Sequence, residues 1–244
     1  MTGEAMTATI CAHVLPLAWE SDFFALPSAR LSFSDDAPAL TPAALNAYAV
    51  VQANVSASDL ATVDALSAAG FQLAESEVDF CLPIDSGEVA LPAWRVADTA
   101  DIAPLREAAA RVFSHSRFRA PWYRMTDSGR FYAQWVENAV RGTFDDVCLI
   151  ALNAQGAPLG WVTLRQTQED RARIGLLAAW PGASGGVGMP LMALARHWCQ
   201  QRHVAHLWVA TQLGNTRALR LYQRCGAQIH DTAHWFYRRP HDSL

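Results

Sequence analysis

The chain contains no lysine: all 19 of its basic side chains are arginine. That absence excludes a phosphate loop ending in Gly-Lys-Ser/Thr, since no ammonium follows a glycine to reach the β- and γ-phosphates. An excess of positive charge is missing too, and a net charge of −4 argues against wholesale nucleic-acid binding. No apolar run approaches the roughly 20 residues a membrane helix needs. The N-terminus lacks a basic segment followed by a long apolar stretch, so no signal peptide is expected. Five cysteines, Cys11, Cys81, Cys148, Cys199 and Cys225, form no C-x-x-C pair, and no histidine lies at zinc-finger spacing. Four of them sit among apolar neighbours, as buried reduced thiols do. No metal site is expected, and the location expected is cytoplasmic. No internal repeat or low-complexity tract is present, which sets aside a solenoid.

What is there is a chain of 244 residues, 51% apolar and only 17% charged, enough to bury a substantial core in one large or two small domains. Residues 10–33 read as extended. Thr41-Pro42 gives an N-cap and a proline at N1, opening a helix through about Asn54. Ser58-Asp59 starts a second helix that Gly70 ends, and Phe71 to Leu82 reads as a strand. Pro83 to Glu88 reads as a linker, closed by Pro92. A small α+β unit over residues 1–84 is therefore expected before a larger one over 93–244. In the larger unit a strand at Ala93–Val96 precedes a helix, capped by Thr99 or Asp101, that runs to Phe113. A helix from about Gly129 to Val140 follows. Strands at Val147–Leu152 and Leu159–Arg165 flank the turn Asn153-Ala154-Gln155-Gly156. A third strand at Ala172–Ala178, a glycine-rich loop, a helix, a strand at Val204–Thr211, a helix at Asn215–Arg224 and a strand at Ala227–Tyr237 complete the order.

Two segments carry the chemistry. Gly185-Gly186-Val187-Gly188 opens the apolar helical pattern Leu191, Met192, Ala195, Trp198, Cys199, and glycines there let N–H groups at a helix N-terminus approach a phosphate. The dinucleotide fingerprint fails, because the residue three after Gly188 is Leu191. By themselves the glycines read equally as a flexible turn. The second segment runs from Asn215 to Tyr222, seven residues on and on the same helix face. Asn215 has the simpler reading of a helix cap, and Tyr222 that of a core aromatic beside Leu219 and Leu221.

The order of strands, glycine loop, helix, strand and Asn-led helix with Tyr resembles the GNAT acetyltransferase superfamily, from roughly Ala93 to Arg238. The resemblance implies a mixed α+β and α/β fold, a splayed central sheet flanked by helices, preceded here by the smaller N-terminal domain. It implies acetyl-CoA as the acetyl donor. Its pantetheine arm would lie along the backbone of Gly175, Leu176 and Leu177, its pyrophosphate on Gly185, Gly186, Val187 and Gly188, with Asn215 nearby. The family's loop motif, Arg/Gln-x-x-Gly-x-Gly/Ala, falls on Ala183 to Gly188, so Ala183 stands where a basic or amide side chain is usual. Tyr222 would be the general acid that protonates the departing thiolate; a phenol near pKa 10 and a thiol near 8.5 are close enough to share a proton.

Phe118 to Tyr123, Gly129 to Asp145 and Phe71 to Asp79 carry a more specific likeness, to the family's dTDP-amino-sugar acetyltransferases. It implies acetylation of the 4-amino group of dTDP-4-amino-4,6-dideoxygalactose, in the synthesis of the enterobacterial common antigen, by a possible homodimer. In that reading the N-terminal domain contributes to the acceptor site. Arg119 and Arg130 would pair with the diphosphate, and Trp122 or Tyr123 would stack on thymine or a sugar. A solvated arginine-rich loop is the plain alternative. Glu75, Glu77 and Asp79 alternate along a strand and share one face. Since an amine must be neutral to attack a thioester, Glu77 is the candidate base, with His115 its competitor. Two rival readings are an acetyltransferase for peptide N-termini or other amines, and a non-catalytic binding module.

Overall fold

The structure is a computed structural model and describes residues 9–34, 36–88, 90–113, 116–183 and 185–240; His115 and Ser184 lie outside them. The first elements are β1 (Ala12–Pro16), α1 (Ala18–Phe24), β2 (Ser28–Phe33), α2 (Pro42–Asn46), β3 (Val50–Ser56), α3 (Leu60–Ala68) and β4 (Gln72–Pro83). They are followed by β5 (Ala93–Val96), a 3-10 turn (Thr99–Asp101), α4 (Ile102–Val112), α5 (Asp127–Val140), β6 (Val147–Leu152), β7 (Pro158–Gln168) and β8 (Arg171–Ala179). Last come α6 (Gly188–Gln201), β9 (His206–Gln212), α7 (Thr216–Arg224) and β10 (Gln228–Arg238).

The chain forms two compact units. The first holds the residues up to Glu77 with Ala120–Tyr123 and those from Asp231 on; the second holds Val78–Arg119 and Arg124–His230. The division thus runs through β4 and β10, and not through the segment Pro83–Glu88 that reads as a linker. That segment is held inside the second unit. Ile84 N donates to Ala205 O at 2.8 Å, Asp85 pairs with Arg196, and Gln200 Nε2 donates to the carbonyls of Asp85 and Gly87.

In the first unit the strands are ordered β1-β2-β3-β10. β1 and β2 are antiparallel, β2 and β3 parallel, and β10 runs antiparallel to β3 from Ala233↔Ser56 to Arg238↔Val51. Ala12, Leu31, Leu45, Val51, Ala53, Val55, Leu66, Phe71 and Phe236 form its core. Two elements differ from expectation. Residues 10–33 are not continuously extended, because Ser21 Oγ donates to Leu17 O and accepts from Ser28 N, which closes α1 back onto the start of β2. The helix opened by Thr41 and Pro42 stops at Asn46. Beyond it the β-branched Val50, Val51 and Val55 sit better in a buried strand between β2 and β10 than in a helix.

In the second unit the order is β4-β9-β8-β7-β6-β5, with β8 and β9 parallel and β5 through β8 antiparallel. α6 covers one face, over β6 to β9, in a core that holds Leu149, Val162, Leu164, Ile174 and Leu207 together with Val78 and Phe80 of β4. α4 and α5 cover the other, through Leu105, Ala109, Val136, Ile150, Trp161 and Leu176. Of the two expected caps, Asp101 stands at the N-cap of α4, but its side chain makes no cap bond to that helix. Asp98 accepts from Ala100 N at 2.7 Å while Asp101 accepts from Asp98 N at 2.9 Å, a reciprocal capping box on the 3-10 turn that leads into α4.

Candidate active site

The site begins where β8 leaves β9. Their parallel register covers Arg171↔His206 to Arg173↔Trp208 and no further. On its other edge β8 carries an extra residue, since Val162 pairs with Leu177 but Leu164 with Ile174. An extra residue reverses the side-chain faces of everything after it. Accordingly Ala172 and Ile174 lie in the core under α6, whereas Leu176 and Ala178 lie in the core under α4 and α5. Backbone from Gly175 onward is left open on the β9 side, where an extended chain can lie against it.

β8 then passes through Trp180 to Ala183 into the glycine loop. Gly182 and Gly186 adopt φ of 85° and 92°, which strains any residue with a Cβ, and nothing lies within 4 Å of where a Cβ on Gly182, Gly185 or Gly186 would stand. Gly185 needs neither the space nor the torsion. Gly188 also serves a packing contact: a Cβ there would meet Leu221 Cδ2 at 2.7 Å, so its bareness brings α6 against α7. Val187 is buried in the core at the helix start. The N-terminus of this 14-residue helix presents the N–H groups of Gly188 and Met189, while Pro190 in the same turn has none.

On α7, Asn215 is a working cap, accepting from Ala218 N and donating to Thr211 Oγ1, both at 3.2 Å. Tyr222 lies one element away from the loop glycines in a closely packed setting. Its ring is 5% exposed and stands 5.5 Å from Phe80. Its hydroxyl makes no hydrogen bond among the described residues. Burial pushes the phenol well above its ordinary range, and the neighbouring Cys225 adds to the shift. The side chain is therefore protonated at neutral pH, a proton donor with no internal partner.

The acceptor candidates divide between the units. In the first, Trp122 and Tyr123 are not exposed stacking platforms: they are 3% and 5% exposed. Trp122 packs edge-on against Tyr237, and Tyr123 packs on Phe24 while its hydroxyl accepts from Gln52 Nε2 at 3.0 Å. Glu77, half-buried on β4, has no side-chain partner among the described residues. In the second unit Arg119 is exposed, and Arg130 is ion-paired with Asp127 at 2.9 Å. The carboxylate row on β4 is not uniformly wet, because Asp79 is held by Arg173 at 2.6 Å.

Residues 105–227 match the model of the acetyltransferase (GNAT) family. The chain is also 48% identical, over 93% of its own length and 98% of the other's, to a dTDP-fucosamine acetyltransferase of Escherichia coli O6:H1. The chain belongs to the GNAT acetyltransferase family. Solved structures agree on the fold. A conserved protein of unknown function from Staphylococcus epidermidis superimposes with a TM-score of 0.59 at 13% identity, covering 97% of this chain and 94% of that one. A tandem GNAT protein from the clavulanic acid biosynthesis pathway gives 0.60 at 15%, covering 88% and 75%.

The residues present fit the acyl donor of a GNAT enzyme: open backbone on β8, an uncrowded glycine loop, amide donors at the start of α6 and an unpartnered buried phenol. Three residues of this region were invisible to sequence reasoning. Asp145 is 1% exposed and accepts from Trp135 Nε1 at 2.8 Å and Thr163 Oγ1 at 2.6 Å, beneath Gly175. Nothing in their spacing marks them, for they come from a helix, a loop and a strand. Among the described residues no group of three or more His, Cys, Asp or Glu is placed to hold a metal ion.

Proposed function

We propose that this chain transfers the acetyl group of acetyl-CoA to the 4-amino group of a dTDP-amino sugar, dTDP-4-amino-4,6-dideoxygalactose, in synthesis of the enterobacterial common antigen. The observation that carries this reading is the 48% identity over nearly the whole of both chains to a dTDP-fucosamine acetyltransferase. Near-complete coverage includes the first unit as well as the segment matched by the family model.

In this reading the donor's pantetheine lies along Gly175, Leu176 and Leu177. Its pyrophosphate meets the loop at Gly185, Gly186, Val187 and Gly188, where the helix dipole and backbone amides stand in for the side chain that Ala183 lacks. Asn215 acts through the cap that sets the start of α7. Glu77 takes the proton of the substrate ammonium, directly or through water. The neutral amine attacks the thioester carbonyl, a C–N bond forms, and the C–S bond breaks. The electron pair leaves on sulfur, the Tyr222 hydroxyl donates its proton there, and the second proton shed by the nitrogen as it becomes an amide passes through solvent to restore the phenol. Because burial holds the phenol above its ordinary pKa, Tyr222 acts by sharing its proton with the sulfur as negative charge develops. Arg119 and Arg130 serve the diphosphate; for Arg130 this requires exchange of Asp127 for phosphate. Trp122 and Tyr123 shape the acceptor side as packed aromatics. A cytoplasmic homodimer completes the proposal. No helix of the described residues is long and apolar enough to cross a membrane.

The deciding assay incubates the purified protein with labelled acetyl-CoA and either the dTDP-amino sugar or a panel of peptides. Label is expected on the nucleotide sugar alone. Acetylated peptide with unmodified sugar overturns the acceptor assignment, and light scattering tests the dimer.

A further inference from the structure

The site proposed above, on which this inference rests, lays a thioester along β8, and the shape of β8 there is not that of a regular strand. We propose that Asp145, acting through Thr163, is the positioning residue that sets the β8 bulge and so holds open the slot between β8 and β9. The geometry is a chain of three donors. Trp135 Nε1 and Thr163 Oγ1 both donate to Asp145 Oδ2, at 2.8 and 2.6 Å. Thr163 Oγ1 then accepts the backbone N–H of Leu176 at 2.8 Å. A hydroxyl that donates to a carboxylate is polarised into a better acceptor. The Leu176 amide is thereby satisfied by a side chain instead of a carbonyl of β7, and this occurs at the bulge in the register.

Gly175 is the complement of this clamp. A Cβ there would collide with Asp145 Oδ2 and stand 2.7 Å from Thr163 Oγ1, so only glycine lets the carboxylate sit beneath the strand. The clamp also explains the change of face. Without the extra residue, Leu176 and Ala178 would follow Ala172 and Ile174 towards α6, when in fact they pack under α4 and α5. Asp145 is 1% exposed and Thr163 0%. A carboxylate buried to that extent persists only where donors converge on it, and these donors converge on the bend of β8. Asp145 touches no reacting atom in this arrangement; its part is to fix the backbone that does.

The test uses the full chain and coenzyme A as the binding probe, with steady-state kinetics on acetyl-CoA. Thr163→Val keeps the shape and removes the acceptor. It is expected to weaken coenzyme A binding and lower kcat on the order of 10-fold, since small displacements of a reacting geometry carry costs of that size or more. Thr163→Ser, which restores the oxygen, is expected to rescue both constants. A Thr163→Val protein with wild-type affinity and kcat overturns the inference, as does a Ser variant as impaired as the Val. Should Thr163→Val not fold, hydrogen exchange on the wild type decides: the Leu176 amide is expected to be protected, and free exchange overturns the clamp. A wild-type protein that fails to bind coenzyme A at all overturns the underlying site; one that binds it while Thr163→Val does so equally overturns only the clamp.

Discussion

Tyr222 combines a ring locked against Phe80 with a hydroxyl that no described residue engages. Loss of that hydroxyl alone leaves the packing intact. Tyr222→Phe is expected to reduce kcat by about 100-fold, the lower range for a positioned acid, with coenzyme A affinity and melting temperature nearly unchanged. Unaltered turnover in a stopped or continuous thiol-release assay removes the residue from the acid role. Asp145 supplies a second residue-scale expectation. Burial raises its carboxyl above the ordinary range, aided by Asp146, against the lowering effect of Thr163, Trp135 and Arg165. A raised folded-state pKa means that its favourable contribution is complete below the unfolded value of about 4 and is lost as pH rises through the folded value. The melting temperature of the wild type relative to Asp145→Asn is therefore expected to fall as pH rises from about 4 through the raised folded-state value. A constant difference across that range contradicts it. Of these two residues, Tyr222 was singled out by the family resemblance, since its spacing from Asn215 on one helix face fits a core aromatic as well. Asp145 was not, since its partners come from residues 10 and 18 positions away along the chain.

At the scale of elements, helix starts were the most legible feature where a side chain caps the backbone locally. Thr41, Asp59 and Asn215 each accept the N–H three residues on. Helix ends were less so, as at Asn46, where a strand pairing overrode the run of small residues. The entry to α4 gives a measurable case. Asp98→Ala removes one half of the capping box and is expected to cost about 1 kcal/mol in a denaturant titration, with the other half left to Asp101 and its ion pair to Arg95. The approach of α6 to α7 gives another. Gly188→Ala is expected to destabilise the protein by about 1 kcal/mol through overpacking, because its Cβ would meet Leu221. Leu221→Ala, which clears that space, is expected to relieve the penalty in the double variant. Additive losses would show that Gly188 serves some other purpose.

For the molecule as a whole, the two compact units are not two consecutive pieces of sequence. A fragment spanning 93–244 lacks Val78, Phe80 and Leu82, which are 2%, 0% and 5% exposed in the second core. Each such side chain contributes about 1.5–3 kcal/mol by burial. The same fragment leaves Ala233–Arg238 without β3 as partner, an exposed strand edge of the kind that drives aggregation. It is expected to be insoluble or unfolded by circular dichroism, in contrast to the full chain. A soluble, cooperatively melting fragment that binds coenzyme A would refute this view. The segment Pro83–Glu88 looked like a boundary because proline, glycine and acidic residues cluster there, but hydrogen bonds to Ala205 and Gln200 hold it to the second unit.

The order of elements in the larger unit, the glycine loop and the Asn-led helix with its tyrosine could be read from the chain, because each depends on periodicity, capping or turn chemistry that acts over a few residues; the family came from the resemblance those parts carry. The exclusion of a phosphate-loop fold needed only the absence of lysine. Tertiary structure alone decided what those parts are packed against. It buried Trp122 and Tyr123, paired Arg130 with Asp127, and assigned Gly188 to a helix contact. It also set Asp145 beneath Gly175 to bend β8. These outcomes depend on which distant side chains compete for the same buried space and the same hydrogen bonds, and that competition exists only once the strands have been brought together.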